Sequence, residues 1–102
     1  MVERVTEQED AIDTLCHKYR VRRLEVFGSA ADGTFDPSRS DIDFLLEFEP
    51  LDPSKLADAY FGLLGDLERT FNQDIDLVTP KAVRNPYFLR DINETRRLIY
   101  AA

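Results

Sequence analysis

Apolar residues along this chain recur at two rhythms, one of three to four residues and one of two. The segment "TEQEDAIDTLCHKY" sets Thr6 and Glu9 at capping-box spacing and then Ile12, Leu15, Cys16 and Tyr19 at helical intervals, which predicts an amphipathic helix. In "RRLEVFGSA", Leu24, Val26 and the adjacent Phe27 alternate imperfectly with Arg23 and Glu25, the pattern of a strand running into Gly28-Ser29. A turn-rich connection, "DGTFDPSR", leads to "DIDFLLEFEP", a second strand whose nearly continuous apolar centre predicts burial on both faces and an end at Pro50. Asp52 followed by Pro53 marks a helix start, and Leu56, Ala59, Tyr60, Leu63, Leu64, Leu67 and Phe71 form its apolar stripe. "QDIDLVTP" reads as a third short strand stopped by Pro80. "NPYFLRDINETRR" reads as a helix with an Asn85 cap, Pro86 at its first position and an apolar face of Phe88, Leu89 and Ile92, and "LIYAA" as a short edge strand.

The order helix, strand, strand, helix, strand, helix and closing strand predicts an α/β or α+β domain with one sheet and helices packed against it. At 102 residues, the chain (1–102) is expected to form a single domain. Hydrophobic content of 43%, with 4 Gly and 5 Pro, is that of an ordinary folded domain. No apolar run approaches about 18 residues, and "MVERVTEQED" lacks a basic start and an apolar core, so the expectation is a cytoplasmic protein with no membrane association. Thirteen Lys and Arg against 20 Asp and Glu leave a net charge of −7, which opposes attraction to phosphate backbones and argues against direct nucleic-acid binding. The single cysteine, Cys16, falls in the helical pattern as a small core residue, and the single histidine, His17, offers no metal cluster.

The chemistry lies in "VFGSAADGTFDPSRSDIDFLLEF". Asp41 and Asp43 alternate with Ile42 and Phe44, so in an extended chain both carboxylates leave the same face, roughly 6 to 7 Å apart at their Cα atoms. Without a cation between them, one pKa must rise or the strand end must pull away from its neighbours. The apolar flank of Ile42, Phe44, Leu45 and Leu46 puts the pair at the rim of a core. Hard oxygen ligands without paired His or a Cys cluster select Mg²⁺ or Mn²⁺ over Zn²⁺. "QDIDLV" offers a third carboxylate from Asp74 or Asp76, and Asp76 is the choice because Leu77 and Val78 continue the buried run after it. Gly28-Ser29 alone is ordinary turn punctuation. Placed after one strand, with an Asp-x-Asp opening the next, it can instead cradle phosphate oxygens at the metal end of the same sheet.

Gly28-Ser29, then Asp41-Ile42-Asp43-Phe44, then an aspartate in "DIDLV" resembles the minimal nucleotidyltransferase (MNT) family, small relatives of the polymerase-β-type nucleotidyltransferases. The resemblance covers nearly the whole chain. It implies a small mixed β-sheet flanked by helices and transfer of AMP from ATP to a hydroxyl, typically a tyrosine, on a partner. Many such proteins resemble the antitoxin of a pair whose toxin is a helical HEPN-domain ribonuclease. Carried over by position, Gly28 and Ser29 would hold the triphosphate, Asp41 and Asp43 two Mg²⁺ ions, and Asp76 one metal and the incoming hydroxyl. The family pattern Gly-Ser-x-Ala-Arg-Gly is broken here, where "GSAADG" carries Asp32 at the arginine position and Arg39 is the nearby cation. The competing readings are an antitoxin that neutralises its partner by docking alone and a plain structural domain with acidic strand ends.

Overall fold

The computed structural model describes residues 5, 7–28, 41–80 and 84–102. Its elements follow the predicted order: α1 (Glu9–Lys18), β1 (Val21–Phe27), β2 (Ile42–Phe48), α2 (Pro53–Phe71), β3 (Ile75–Val78), α3 (Pro86–Thr95) and β4 (Arg97–Ala101). The strands form one sheet in the order β3-β2-β1-β4. β1 pairs antiparallel with both β2 and β4, and β2 pairs parallel with β3, so the sheet is mixed and the fold is α+β. The closing strand is an edge strand, as its position and short apolar run predict.

The pattern of β2 explains the layering. Ile42, Phe44 and Leu46 point to one face, where they join Leu24, Val26, Leu77, and Ile12 and Cys16 of α1 with Leu63, Leu67 and Phe71 of α2 in the main core. Leu45 points to the other face, where it meets Phe27 and Ile92 of α3, with Phe88 packed against them. Both faces of β2 are therefore covered, which is why its apolar run is almost uninterrupted. Cys16 is fully buried, and burial first, then the charge of Asp13, pushes its thiol up to about 12, an inert core group.

Several local expectations are corrected. α1 starts at Glu9 with Gln8 in the cap position and no side-chain cap bond; Thr6 lies outside the described residues. Asp52 and Pro53 do open α2, but the Asp52 side chain makes no cap bond. Asn85 caps α3 as its sequence suggests, its side-chain oxygen accepting from the Tyr87 and Phe88 amides at 2.9 and 3.4 Å. Leu89, expected on the apolar face of α3, is 40% exposed, because Phe88 and Ile92 take the positions facing the sheet.

The largest correction is Glu25. Alternation places it on a polar side of β1, yet it is 3% exposed, because α3 lies over that face and brings a cation with it. Arg96 Nε and Nη2 donate to its two carboxylate oxygens at 2.6 and 2.7 Å, and Arg23 Nε donates at 2.7 Å. These bonds, with Arg96 the largest cause and Arg23 assisting against the cost of burial, hold the Glu25 carboxyl below its ordinary value. Because the folded value is depressed, ionised Glu25 contributes stability that is fully present above the unfolded value of 4.5 and is lost as pH falls through the lower folded one. Glu25→Gln is expected to cost about 1 to 2 kcal/mol at pH 7. Urea titrations at pH 7 and pH 3 check this, since the gap between the two proteins should narrow in acid.

Candidate nucleotide and metal site

The parallel register of β2 and β3 pairs Ile42 with Ile75, Asp43 with Asp76 and Phe44 with Leu77. Directly paired residues of neighbouring strands point to the same side, so Asp43 and Asp76 share a face, with Cα atoms about 5 Å apart at the usual strand spacing. Asp41, two residues before Asp43, leaves the same side of the chain just ahead of β2. The three aspartates singled out from the sequence therefore face the α3 side of the sheet. They lie at the end where β1 finishes and β2 and β3 begin. Asp74 precedes β3, and its carbonyl accepts the Ile42 amide at 3.1 Å, which starts the parallel pairing. The Tyr60 hydroxyl of α2 donates to the Leu77 carbonyl and ties β3 to the helix behind it.

β1 adds the fourth predicted residue. Phe27 pairs with Asp43 across the antiparallel ladder, and the next residue, Gly28, turns with φ of +70°. A Cβ on Gly28 would stand 2.6 Å from Asp43 Oδ2, so the glycine backbone lies directly against that carboxylate. The Gly28 amide donates to Thr95 Oγ1 at 2.8 Å, which brings the last turn of α3 to the same corner. Ser29, Asp32 and Arg39 lie outside the described residues.

Electrostatics distinguish Asp43 from its neighbours. It is half-buried, while Asp41 and Asp76 are exposed. Burial first, then the negative charges of Asp76, Asp41 and Asp91, push its carboxyl from 3.8 up to about 7. Asp91, on α3, was not anticipated from the sequence. Spacing puts Phe88, Asp91, Ile92 and Thr95 on one helix face, but only the direction in which α3 crosses the sheet carries Asp91 and Thr95 to the strand ends.

The donor set suits a hard divalent cation, since it is all carboxylate oxygen and a cation would offset the burial and the neighbouring negative charges that make its most buried member resist ionisation. Among the described residues no three His, Cys, Asp or Glu side chains already stand close enough together to hold an ion. The backbone thus supplies a shared face, and the carboxylates would have to draw together around a cation. Millimolar Mg²⁺ or Mn²⁺ is expected to raise the melting temperature relative to EDTA, by linkage of about 1 kcal/mol or more when the ion is well above its Kd. Asp43→Asn should abolish the gain, and identical melting of the wild type in EDTA and in Mn²⁺ with ATP would count against a cation at these residues.

Solved structures share this arrangement of strands and helices. A minimal nucleotidyltransferase superposes with a TM-score of 0.72 at 23% identity, covering 93% of this chain and 92% of its own. A toxin–antitoxin crystal structure with AMP-PNP superposes with a TM-score of 0.68 at 22% identity, covering 92% and 73%. A complex of tri-AMPylated Shewanella oneidensis HEPN toxin with MNT antitoxin gives 0.61 at 19% identity, covering 95% and 72%. In sequence, the chain is 36% identical over 83 residues to a Methanocaldococcus jannaschii protein named "Putative protein adenylyltransferase MJ1379", covering 81% of this chain and 79% of that one. Among the described residues no helix is long and apolar enough to cross a membrane. The nucleotidyltransferase-domain family model matches residues 9–99, the span that contains Gly28, Asp41, Asp43 and Asp76, and the chain belongs to that family.

Proposed function

We propose that this protein is a Mg²⁺-dependent protein adenylyltransferase that moves AMP from ATP onto a hydroxyl, a tyrosine as the family resemblance implies, of a HEPN-domain toxin, and thereby acts as its antitoxin. The observation that carries the reading is the register that puts Asp43 beside Asp76 with Gly28 against the same carboxylate. Relatives named as adenylyltransferases support the reaction, and neighbours in toxin–antitoxin complexes support the partner.

In this reading Asp41, Asp43 and Asp76 would hold divalent cations, which would supply charge neutralisation for the triphosphate and polarisation of the α-phosphorus. Gly28, and by the family resemblance Ser29, would bind the triphosphate, and the absence of a side chain at Gly28 would let phosphate oxygens approach the backbone. Asp76, exposed at the edge of the carboxylate face, orients the acceptor hydroxyl and takes its proton. The acceptor oxygen forms a bond to the α-phosphorus as the bond to the β-phosphate bridging oxygen breaks, and pyrophosphate leaves. Asp32 at the position where the family pattern has arginine leaves Arg39 as the cation to be tested for a phosphate contact.

The test is to mix the protein with its toxin partner, ATP and Mg²⁺ and to weigh the partner by intact mass spectrometry. The expected result is a gain of one or more AMP units that vanishes with Asp41→Ala. A partner that is inhibited yet unmodified would replace this reading with neutralisation by docking alone.

A further inference from the structure

One contact joins residues 67 positions apart: the Gly28 amide donates to the Thr95 hydroxyl oxygen at 2.8 Å. Thr95 Oγ1 also donates to the Asp91 carbonyl one helical turn earlier, at 2.8 Å. The hydroxyl proton is therefore committed to the helix, and an oxygen lone pair is left aimed at Gly28. The next residue, Arg96, is held to Glu25 by two bonds, so the end of α3 is fastened to β1 on both sides of Phe27.

We propose that Thr95 is a positioning residue for the nucleotide corner, an assignment that rests on the reading of Gly28 as a phosphate-facing residue. Glycine samples many conformations, and the turn at φ of +70° is one of several open to it. A fixed acceptor for its amide selects that turn and keeps the glycine backbone against the Asp43 carboxylate, where the two groups can face one ligand together. Preorganisation of this kind increases affinity by removing an ordering cost from the binding step. A helix that merely covered the sheet would need Phe88 and Ile92 but no hydroxyl at its last position.

Thr95→Val keeps the shape and removes the hydroxyl; Thr95→Ala removes it without a branched side chain should valine disturb the fold, and Thr95→Ser restores the oxygen. Two quantities are read on the whole protein: hydrogen exchange of the Gly28 amide by NMR, and affinity for ATP with Mg²⁺ by calorimetry. In the valine variant the amide should exchange faster and ATP affinity should fall about fivefold to tenfold, with both returning toward wild type in the serine variant. Wild-type affinity in Thr95→Val and Thr95→Ala, even with a lowered melting temperature, would overturn the assignment and leave Thr95 a packing residue. A wild type that binds no ATP would overturn the nucleotidyltransferase reading itself, and this assignment with it.

Discussion

Asp43→Asn is expected to lower AMP transfer by more than about a hundredfold, the scale of loss when a charge-stabilising group is removed from a phosphoryl-transfer site. The same substitution should make the metal-free protein more stable near pH 8. Asp43 is half-buried among Asp76, Asp41 and Asp91, and its carboxyl is pushed up to about 7 from 3.8. A raised acid opposes folding when ionised, so this contribution is unfavourable above pH 7 and is relieved as pH falls from about 7 toward 3.8. Asparagine carries no charge and has no such slope. In EDTA, the melting temperature of the wild type should therefore rise toward that of Asp43→Asn between pH 8 and pH 5. A group whose charge works against the fold, set beside Gly28 and in register with Asp76, fits the chemical role proposed for it. An Asn variant that is both less stable in EDTA and fully active would contradict both parts.

The features legible in the sequence are those set by local periodicity. The stripe from Tyr60 to Phe71 gave the longest helix, and the apolar run of β2 announced burial on two faces, which α2 and α3 supply from opposite sides. Alternation alone put Asp41 and Asp43 on one face. The choice of Asp76 over Asp74 was also available, since the buried run after it marks the residue inside the strand, and that residue is the one in register with Asp43. What escaped depends on contacts distant in sequence. Glu25 looks like a solvent-facing residue until α3 lays Arg96 over it, 71 positions away. Asp91 and Thr95 come close to Asp43 and Gly28 only because α3 runs back toward the end of β1, and no local pattern encodes that direction. The site thus combines strand residues visible from spacing with helix residues visible only from topology.

Gly28→Val is expected to abolish measurable ATP binding and to cost about 2 to 3 kcal/mol in stability, from two separate causes. The first is backbone strain: φ of +70° is open to glycine and costly for a β-branched residue, so valine would pull the turn toward negative φ and away from the Thr95 hydroxyl. The second is contact: the new Cβ would meet Asp43 Oδ2 at 2.6 Å, and the carboxylate would have to rotate away from Gly28 and out of its place in the corner. Gly28→Ala separates them in part, since it shares the Cβ clash but carries less strain, and it should bind ATP more weakly than wild type while losing less stability than valine. The damage should remain local. α2 packs through Leu63, Leu67 and Phe71 on the opposite face of the sheet, so far-ultraviolet circular dichroism and the NMR chemical shifts of residues 63–71 should match wild type at moderate temperature. ATP affinity unchanged in both variants would show that the glycine serves the turn and not the ligand.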